Sequence, residues 1–199
     1  MIHNYSAGLV SQSFWFVELK KVIRMLASGE ELPQIKTICV QDNLFGAPNE
    51  KRAKEMTNRI VRRAATLDPW EAQLFVRTDL ATQKLLALIA VLRLDRLFFE
   101  FLYEVYREKV IFASPTLETK DANVFFREKE TQSTVVESWT DATKSHLRQC
   151  YFNYMTDANL LMLDEKVYRI TPPILDAELE MHLNEKGERA VVKAITGAK

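Results

Sequence analysis

The sequence predicts a mainly α-helical protein that ends in a small winged-helix-like part with a short β-hairpin. Its 199 residues include only 5 glycines and 6 prolines, too few for the many tight turns of an all-β fold. Apolar side chains recur at helical spacing along much of the chain, and residues that favour helix N-caps precede several of these runs. Ser114-Pro115-Thr116 is the clearest interruption. It predicts a helical domain over residues 1–113 and a winged-helix-like domain over residues 114–199.

The first domain opens with an extended or turn-like segment, Tyr5–Leu9, and continues as a series of capped helices. Asn49, Asp68 and Asp79 are the predicted N-caps of the third, fourth and fifth helices, because their side chains can accept hydrogen bonds from free backbone amides. Pro69 suits the first turn of the fourth helix. The first three helices are therefore expected over about residues 14–27, 33–41 and 49–67. The fourth is expected to begin at residue 69, and the fifth to cover residues 80–94.

A helix over residues 94–110 is predicted to form the core around which the rest of the chain is organised. Leu97, Phe98, Phe101 and Leu102 are among the apolar residues that cover most of its circumference at about 100° per residue. A surface helix carries a single apolar stripe, so a helix this apolar is expected to be buried. Its expected role is structural rather than chemical.

The second domain has the order of elements of a winged helix-turn-helix. Asp141 is the predicted N-cap of its longest helix. Two short apolar runs on either side of the polar turn Asp164–Lys166 predict a β-hairpin. The expected elements are a helix at 120–130, a short segment at 134–138, a helix at 142–158, and strands at 160–163 and 167–170.

A cytoplasmic protein that makes no membrane contact is expected. The most apolar run, Leu85–Leu92, is less than half the roughly 20 residues that span a bilayer. Cys39 and Cys150 form no Cys-x-x-Cys pair and are expected to be reduced thiols of a cytosolic protein. The first residues lack the basic, apolar and small-residue pattern of a signal peptide, so none is expected.

An enzyme is not indicated. His3, His146 and His182 stand apart from one another in the sequence and lack the spacing of a metal site. The sequence contains no nucleophile elbow, dinucleotide-binding loop or phosphate-binding loop. We therefore expect no catalytic residues, no metal, no cofactor and no small-molecule substrate.

One segment, Lys51–Arg63, is strongly basic in a chain with 27 basic and 27 acidic residues. On a helical wheel four polar residues of this segment face away from an apolar side, and Arg52, Arg59 and Arg63 lie on the flanks. This is how a recognition helix is presented to a DNA duplex. Its expected DNA contacts are Lys51, Arg52, Lys54, Asn58, Arg59, Arg62 and Arg63. Equally compatible with the pattern is a solvated basic face that aids solubility or binds an acidic partner.

A second and weaker DNA-binding surface is predicted on the helix that follows Asp141 and on the hairpin. Its expected contacts are Thr143, Lys144 and Arg148 on the helix, and Lys166 and Arg169 in the wing. A helix and hairpin that bind another protein or complete the core would account for the same residues, because a fold alone does not determine a function.

Three stretches carry a resemblance to a known family. Tyr5-Ser-Ala-Gly-Leu9, Leu67-Asp-Pro69 and the segment from Asp95 to Lys109, with Trp139 ahead of a capped helix, resemble the BrxA family. These are accessory proteins of bacteriophage exclusion (BREX) defence systems, and the resemblance covers almost the whole chain.

The resemblance implies a cytoplasmic protein with a NusB-like helical bundle. It also implies that the protein has no catalytic activity, binds double-stranded DNA and acts beside other BREX proteins in restricting phage. Two alternatives stay open. The protein could bind structured RNA in the manner of NusB-like proteins, or it could be an adaptor that assembles the BREX complex through its basic face.

Overall fold

The fold is that of a computed structural model, described here for residues 4–198, and it is mainly helical as predicted. After a short 3-10 helix at Gly8–Ser11 the helices are α1 (Phe16–Ala27), α2 (Leu32–Gln41), α3 (Glu50–Ala64), α4 (Pro69–Arg77), α5 (Leu80–Leu92), α6 (Arg96–Phe101), α7 (Arg107–Ile111), α8 (Thr119–Gln132), α9 (Thr134–Glu137), α10 (Asp141–Asp157), α11 (Ala177–Glu185) and α12 (Arg189–Thr196). The strands are β1 (Thr116–Leu117), β2 (Leu161–Asp164) and β3 (Val167–Ile170). Among residues 4–198, no helix has the length and apolarity needed to cross a membrane.

The predicted N-caps Asn49, Asp68 and Asp79 are confirmed. The side chain of Asn49 accepts a hydrogen bond from the backbone amide of Arg52 at 2.9 Å, and that of Asp79 accepts one from Thr82 at 2.8 Å. Asp68 and Glu71 form a reciprocal capping box at the start of α4. These bonds satisfy amides that have no partner within the helix, which explains why the helices begin where they do.

The chain forms two compact units that differ from the predicted division. Residues 15–94, called here the inserted unit, contain α1 to α5. Residues 4–14 together with residues 95–198, called here the split unit, contain the remaining elements. The boundary expected between residues 113 and 114 lies within the split unit, because Phe125 of α8 packs against Phe101 of α6 with ring centroids 5.2 Å apart.

The segment from Arg96 to Ile111 supplies the core of the split unit, as expected of so apolar a helix. Phe98, Phe101, Leu102 and Tyr106 are all fully buried. The helix is not uniform, however, because residues Leu102–Tyr106 between α6 and α7 form a π-helical turn. Such turns widen a helix locally and are frequent at functional sites.

The first residues of the described chain belong to the split unit. The hydroxyl of Tyr5 donates to Glu100 at 2.8 Å, and that of Tyr154 donates to the carbonyl of Ser13 at 2.9 Å. Phe14 packs on the ring of Tyr154 with centroids 5.4 Å apart. The first residues of the described chain, which include the expected turn-like lead-in, are therefore anchored to residues that lie 95 to 141 positions later.

The second half confirms the predicted order of helix, short helix, longer helix and hairpin. Glu165 and Lys166 connect β2 to β3 with positive φ angles of 45° and 73°, as in a tight two-residue hairpin turn. The sheet order is β1-β3-β2, with both pairs antiparallel. The sequence did not indicate β1, which falls where a break was expected. The N-cap of α10 is Thr140 rather than Asp141, since its hydroxyl accepts from the Thr143 amide at 3.2 Å.

Asp95 caps the core helix from a buried position, and this couples folding to pH. Its carboxylate accepts a hydrogen bond from the Phe98 amide at 2.9 Å and the residue is 8% exposed. Burial raises the pKa of Asp95 to about 6, although the amides of Phe98 and Leu97 oppose the rise. The folded state therefore binds a proton on Asp95 more tightly than the unfolded state does. As the pH rises from about 4 to about 6, this group's contribution to the free energy of unfolding is lost.

Asp95→Asn is expected to remove this loss, because an amide oxygen can still cap the helix but cannot ionise. Between pH 4 and pH 7 the wild type should lose about 2–3 kcal/mol relative to the variant, measured by urea unfolding at each pH. Asp79→Asn is the matched control with the opposite sign, since hydrogen bonds from Thr82 lower the pKa of Asp79. Parallel pH profiles for the wild type and Asp95→Asn would contradict the assignment.

Gly197 ends α12 in a place where no side chain fits. Its φ is +75°, and a Cβ atom there would lie 2.2 Å from Cγ1 of Val110. Gly197→Ala should therefore cost more than the roughly 1–2 kcal/mol of a left-handed residue, as measured by thermal unfolding. Gly187→Ala is the control, because Gly187 has a φ of +76° but nothing within 4 Å of its Cβ position. Equal costs for the two variants would mean that Val110 moves aside freely.

Candidate nucleic-acid interface

The helix α3, which contains the basic segment, is held by a short and well-bonded connection from α2. The side chain of Asn43 accepts from the Ala47 amide at 2.8 Å and donates to the Ala47 carbonyl at 2.9 Å. Asn43 has a φ of 43°, a conformation that Asn tolerates better than most residues. α2 packs directly against α3. The inserted unit thus presents α3 on a fixed support.

The apolar side of α3 is buried as the helical wheel predicted, and Lys51, Asn58 and Arg62 are exposed. Positions seven and eleven residues apart lie near the same side of an α-helix. Within residues 4–198, the side chains of these three residues have no hydrogen bond or ion pair. Lys51 and Arg62 are separated by roughly 16 Å along the helix, at 1.5 Å per residue. They form an open polar line with a cation near each end.

Two other predicted contacts are paired with acids of the same helix. The ammonium group of Lys54 lies 2.5 Å from the carboxylate of Glu50, and a guanidinium nitrogen of Arg52 lies 3.5 Å from that of Glu55. The hydrogen bond from Lys54 also lowers the pKa of Glu50. Both pairs are exposed, so they are weak and can open when a polyanion approaches. They nevertheless reduce the local positive charge.

Arg63, which the wheel places on a flank of α3, is buried and does not belong to the exposed line. It is 2% exposed, and its guanidinium carbon lies 5.3 Å from the centre of the Trp15 ring. Arg52 approaches the same ring at 5.7 Å. Such cation–π contacts hold a guanidinium close to the protein. Arg59 is half-buried. A helical wheel cannot show this contact, because Trp15 precedes α3 by more than thirty residues.

Most charges of the second predicted surface are also engaged. The ammonium group of Lys144 contacts the carboxylate of Glu130 and lies 3.1 Å from that of Asp141. These bonds raise the pKa of Lys144, with Glu130 as the main cause. Thr143 lies half-buried beside Thr140, with their hydroxyl oxygens 3.0 Å apart. Neither Lys144 nor Thr143 is therefore an open group.

Of the three remaining cations of this surface, Arg148 and Arg169 are held by neutral and acidic neighbours. Arg148 donates to Asn123 at 2.8 Å and to Ser145 at 2.9 Å. Arg169 donates to Asp164 at 2.8 Å. Lys166, at the tip of the hairpin turn, is exposed, and its side chain has no ion pair within residues 4–198. Among the described residues, the second surface therefore offers one open cation, Lys166, whereas α3 offers two.

Formal charge is divided between the two units. Residues 15–94 contain thirteen Lys and Arg against nine Asp and Glu, a net charge of +4. Because the whole chain has 27 of each sign, the remainder of the sequence has a net charge of −4. The net charge of zero for the whole chain is thus the sum of a basic inserted unit and an acidic remainder. An anionic partner is attracted to the basic unit.

The most connected charged cluster of the split unit is structural. The carboxylate of Glu100 accepts from Tyr5 at 2.8 Å and from Arg96 at 2.6 Å, and Lys129 lies 2.6 Å from it. Burial would raise the pKa of Glu100, but hydrogen bonds from Lys129, Arg96 and Tyr5 lower it. Lys129 also contacts Glu104 at 2.7 Å. Both oxygens of Glu100 are occupied, so the cluster ties segments together and leaves no oxygen of Glu100 open to a substrate.

Comparison with known proteins places this fold in a family. Residues 3–187 match the BrxA family. The chain is similar to a "BREX protein BrxA" of Bacillus cereus (strain H3081.97), with 30% identity over 193 residues that cover 97% of this chain and 96% of that protein. Its fold is similar to the crystal structure of an uncharacterized protein from Magnetospirillum magneticum, with a TM-score of 0.79, 21% identity, and coverage of 98% of this chain and 100% of that one. The chain belongs to the BrxA family.

Proposed function

We propose that this protein is a non-enzymatic component of a BREX phage-defence system that binds double-stranded DNA through the exposed face of α3. The observation that carries the proposal is the open line formed by Lys51, Asn58 and Arg62 in a unit with a net charge of +4. The similarity to a relative named as a BREX protein supports the role in defence. The proposed partners are double-stranded DNA and other BREX proteins, in the cytoplasm.

The proposed binding mode is mainly electrostatic. Lys51 and Arg62 can neutralise phosphates, and the exposed Lys54 can join them if its surface pair with Glu50 opens. Asn58 suits an adenine edge, with which an Asn side chain can form two hydrogen bonds. Phosphate contacts outnumber base contacts, so weak sequence preference is expected. The hairpin contributes through Lys166, as a minor winged-helix-like contact.

A salt series tests this proposal. Lys51→Glu/Arg62→Glu should weaken binding to a 20-base-pair duplex at least about ten-fold near 0.1 M salt, measured by fluorescence anisotropy. Losing two phosphate contacts should also make the slope of log K against log salt less negative by about 2. Lys166→Glu/Arg169→Glu reverses the same amount of charge in the hairpin and should have a smaller effect.

Lys186→Glu/Arg189→Glu is the control for total charge, because both residues are exposed and lie in the C-terminal segment of the chain. It should leave the salt slope near the wild-type value. Unchanged affinity in a folded Lys51→Glu/Arg62→Glu protein would remove α3 as the contact surface. A larger loss in the hairpin variant would move the site to the winged-helix-like part.

Two other functions are distinguished by the same assay. Tighter binding to duplex RNA than to duplex DNA would favour the RNA-binding function of NusB-like proteins. Absence of binding to any nucleic acid, together with capture of an acidic partner by the basic face, would favour an adaptor. The open cations of α3 are compatible with all three functions. The three are therefore distinguished by which polyanion binds and by how steeply salt weakens that binding.

A further inference from the structure

A groove in the split unit is acidic and partly apolar, whereas the exposed face of α3 is basic and polar. It lies between α8 and the segment formed by the π-helical turn and α7, and has a volume of about 430 Å³. Its floor includes Val105 and Phe125, and its edges include Phe112 and Val124. Phe112 is 78% exposed and Val124 is 52% exposed. Two large apolar side chains are thus left open beside an apolar floor.

The rim of this groove is acidic. Glu104, Glu108, Asp121 and Glu128 line it, against a single cation, Lys109. Lys109 is already bound to Asp121 at 2.9 Å. The side chains of Glu108 and Glu128 are exposed, and within residues 4–198 they have no ion pair or hydrogen bond. The lining therefore has a net charge of −3, with two open carboxylates.

The backbone holds Phe112 outward at the edge of the groove. The next residue, Ala113, has a φ of 52°, a conformation that is costly for any residue with a Cβ atom. A hydrogen bond of 2.8 Å from the Ser114 amide to the Lys109 carbonyl closes the end of α7 around it. The π-helical turn supplies Glu104 and Val105 to the same groove. Two uncommon backbone conformations therefore shape this site.

We propose that this groove binds a short basic amphipathic segment of a partner protein, with an apolar anchor seated by Phe112 and Val124 and flanking Lys or Arg residues paired with Glu108 and Glu128. Charge complementarity selects this occupant. An acidic or purely apolar segment would leave the two carboxylates repelled or desolvated without partners. Nucleic acid is disfavoured for the same reason, so the groove is separate from the DNA-binding surface of α3.

A second copy of this chain is a poorer fit through its own basic helix. The apolar residues of α3, including Met56 and Ile60, are buried within the inserted unit. Its exposed line contains polar and charged residues only, so it brings no apolar anchor to the groove. The groove therefore calls for a different protein segment, one that has both chemistries on a single exposed face.

Selection from a library tests the chemistry directly. Random 12-residue peptides displayed on yeast are selected with the full-length protein and counter-selected with Phe112→Ser, in 0.15 M salt and with nuclease to remove nucleic acid. The expected consensus is an aromatic or aliphatic anchor with Lys or Arg within four positions on either side. A consensus that is acidic, or no enrichment over the counter-selection, would overturn the proposal.

Affinity for the selected peptide then identifies the contacts. Glu108→Lys/Glu128→Lys and Phe112→Ser should each weaken binding about ten-fold or more. Glu180→Lys/Glu185→Lys on α11 reverses the same charge at exposed positions and should change binding less than two-fold. Equal losses of peptide affinity in the two double variants would mean that the effect comes from the overall charge of the protein. That result would contradict the groove as the binding site.

Two further measurements separate this inference from other outcomes. Sedimentation velocity of the wild type and Phe112→Ser should give the same monomer mass; loss of a dimer in the variant would mean that a second copy fills the groove. DNA affinity of Glu108→Lys/Glu128→Lys should be no weaker than that of the wild type. The proposal that the groove binds a peptide can therefore be contradicted without affecting the proposal that α3 binds DNA, and the reverse also holds.

Discussion

Replacing Arg93 with Met is expected to lower the free energy of unfolding of the inserted unit by about 3–5 kcal/mol. Arg93 and Glu71 form a two-pronged ion pair, with nitrogen–oxygen distances of 2.8 and 2.5 Å. Glu71 is fully buried and Arg93 is 5% exposed. Removing the guanidinium takes two hydrogen bonds from a buried carboxylate, and also removes the bond that the Thr66 carbonyl accepts at 2.7 Å.

Urea unfolding followed by tryptophan fluorescence measures this change. Trp15 and Trp70 lie in the inserted unit and Trp139 in the split unit, so the test is made in a Trp139→Phe background. Arg24→Met, at an exposed position of α1, is the control and should cost less than about 0.5 kcal/mol. Glu71→Gln/Arg93→Met removes both charges and should recover part of the loss. Equal midpoints for Arg93→Met and Arg24→Met would contradict the role of the pair.

Replacing Phe101 with Ala is expected to destabilise the split unit by about 3–5 kcal/mol, the usual cost of removing a buried aromatic ring. Phe101 is fully buried, and its ring lies 5.2 Å from that of Phe125 and 5.4 Å from that of Tyr151. A third neighbour, Phe152, is 6.2 Å away. The cavity would be surrounded by large rings that cannot all move to fill it.

Phe112→Ala provides the matched control for Phe101→Ala. It removes the same ring from the residue that follows α7, but Phe112 is 78% exposed and its replacement should cost less than about 0.5 kcal/mol. Thermal unfolding followed by Trp139 fluorescence reports on the split unit in a background in which Trp15 and Trp70 are Phe. If Phe101→Ala unfolds at the same temperature as Phe112→Ala, the aromatic cluster is not the core of this unit.

The success of the sequence in predicting helix starts has a local physical cause. Asn49, Asp68 and Asp79 cap helices through bonds to residues three positions later, and Pro69 sets a first turn without help from distant residues. The hairpin is similarly local, because the two-residue turn after Asp164 determines the pairing of its strands. Signals that span only a few residues are readable before the fold is known.

Features that depend on distant residues were missed. β1 is a two-residue strand that exists because it pairs with β3 more than fifty positions later, and so it shows no periodicity of its own. The π-helical turn at Leu102–Tyr106 interrupts a pattern that is helical on either side. The predicted boundary near residue 114 relied on local turn residues, whereas the compact units are defined by long-range packing.

The candidate interface likewise has some features that the sequence predicted and others that depend on distant residues. The wheel separated the apolar and polar sides of α3 correctly, since side-chain direction follows from helical geometry. It could not show that Trp15 attracts Arg63 and Arg52, or that Glu130 engages Lys144. Burial and ion pairing thus reduced twelve predicted contacts to a few open groups, of which Lys51, Asn58 and Arg62 form the continuous line.

The division of the split unit has a consequence for synthesis on the ribosome. Tyr5 and the Ser13 carbonyl leave the ribosome early, but their partners Glu100 and Tyr154 emerge much later. At roughly 5–20 residues per second, the inserted unit can fold while residues 4–14 wait for several seconds with their apolar side chains uncovered. Slow translation of the second half should therefore reduce the yield of folded protein more than slow translation of the first half.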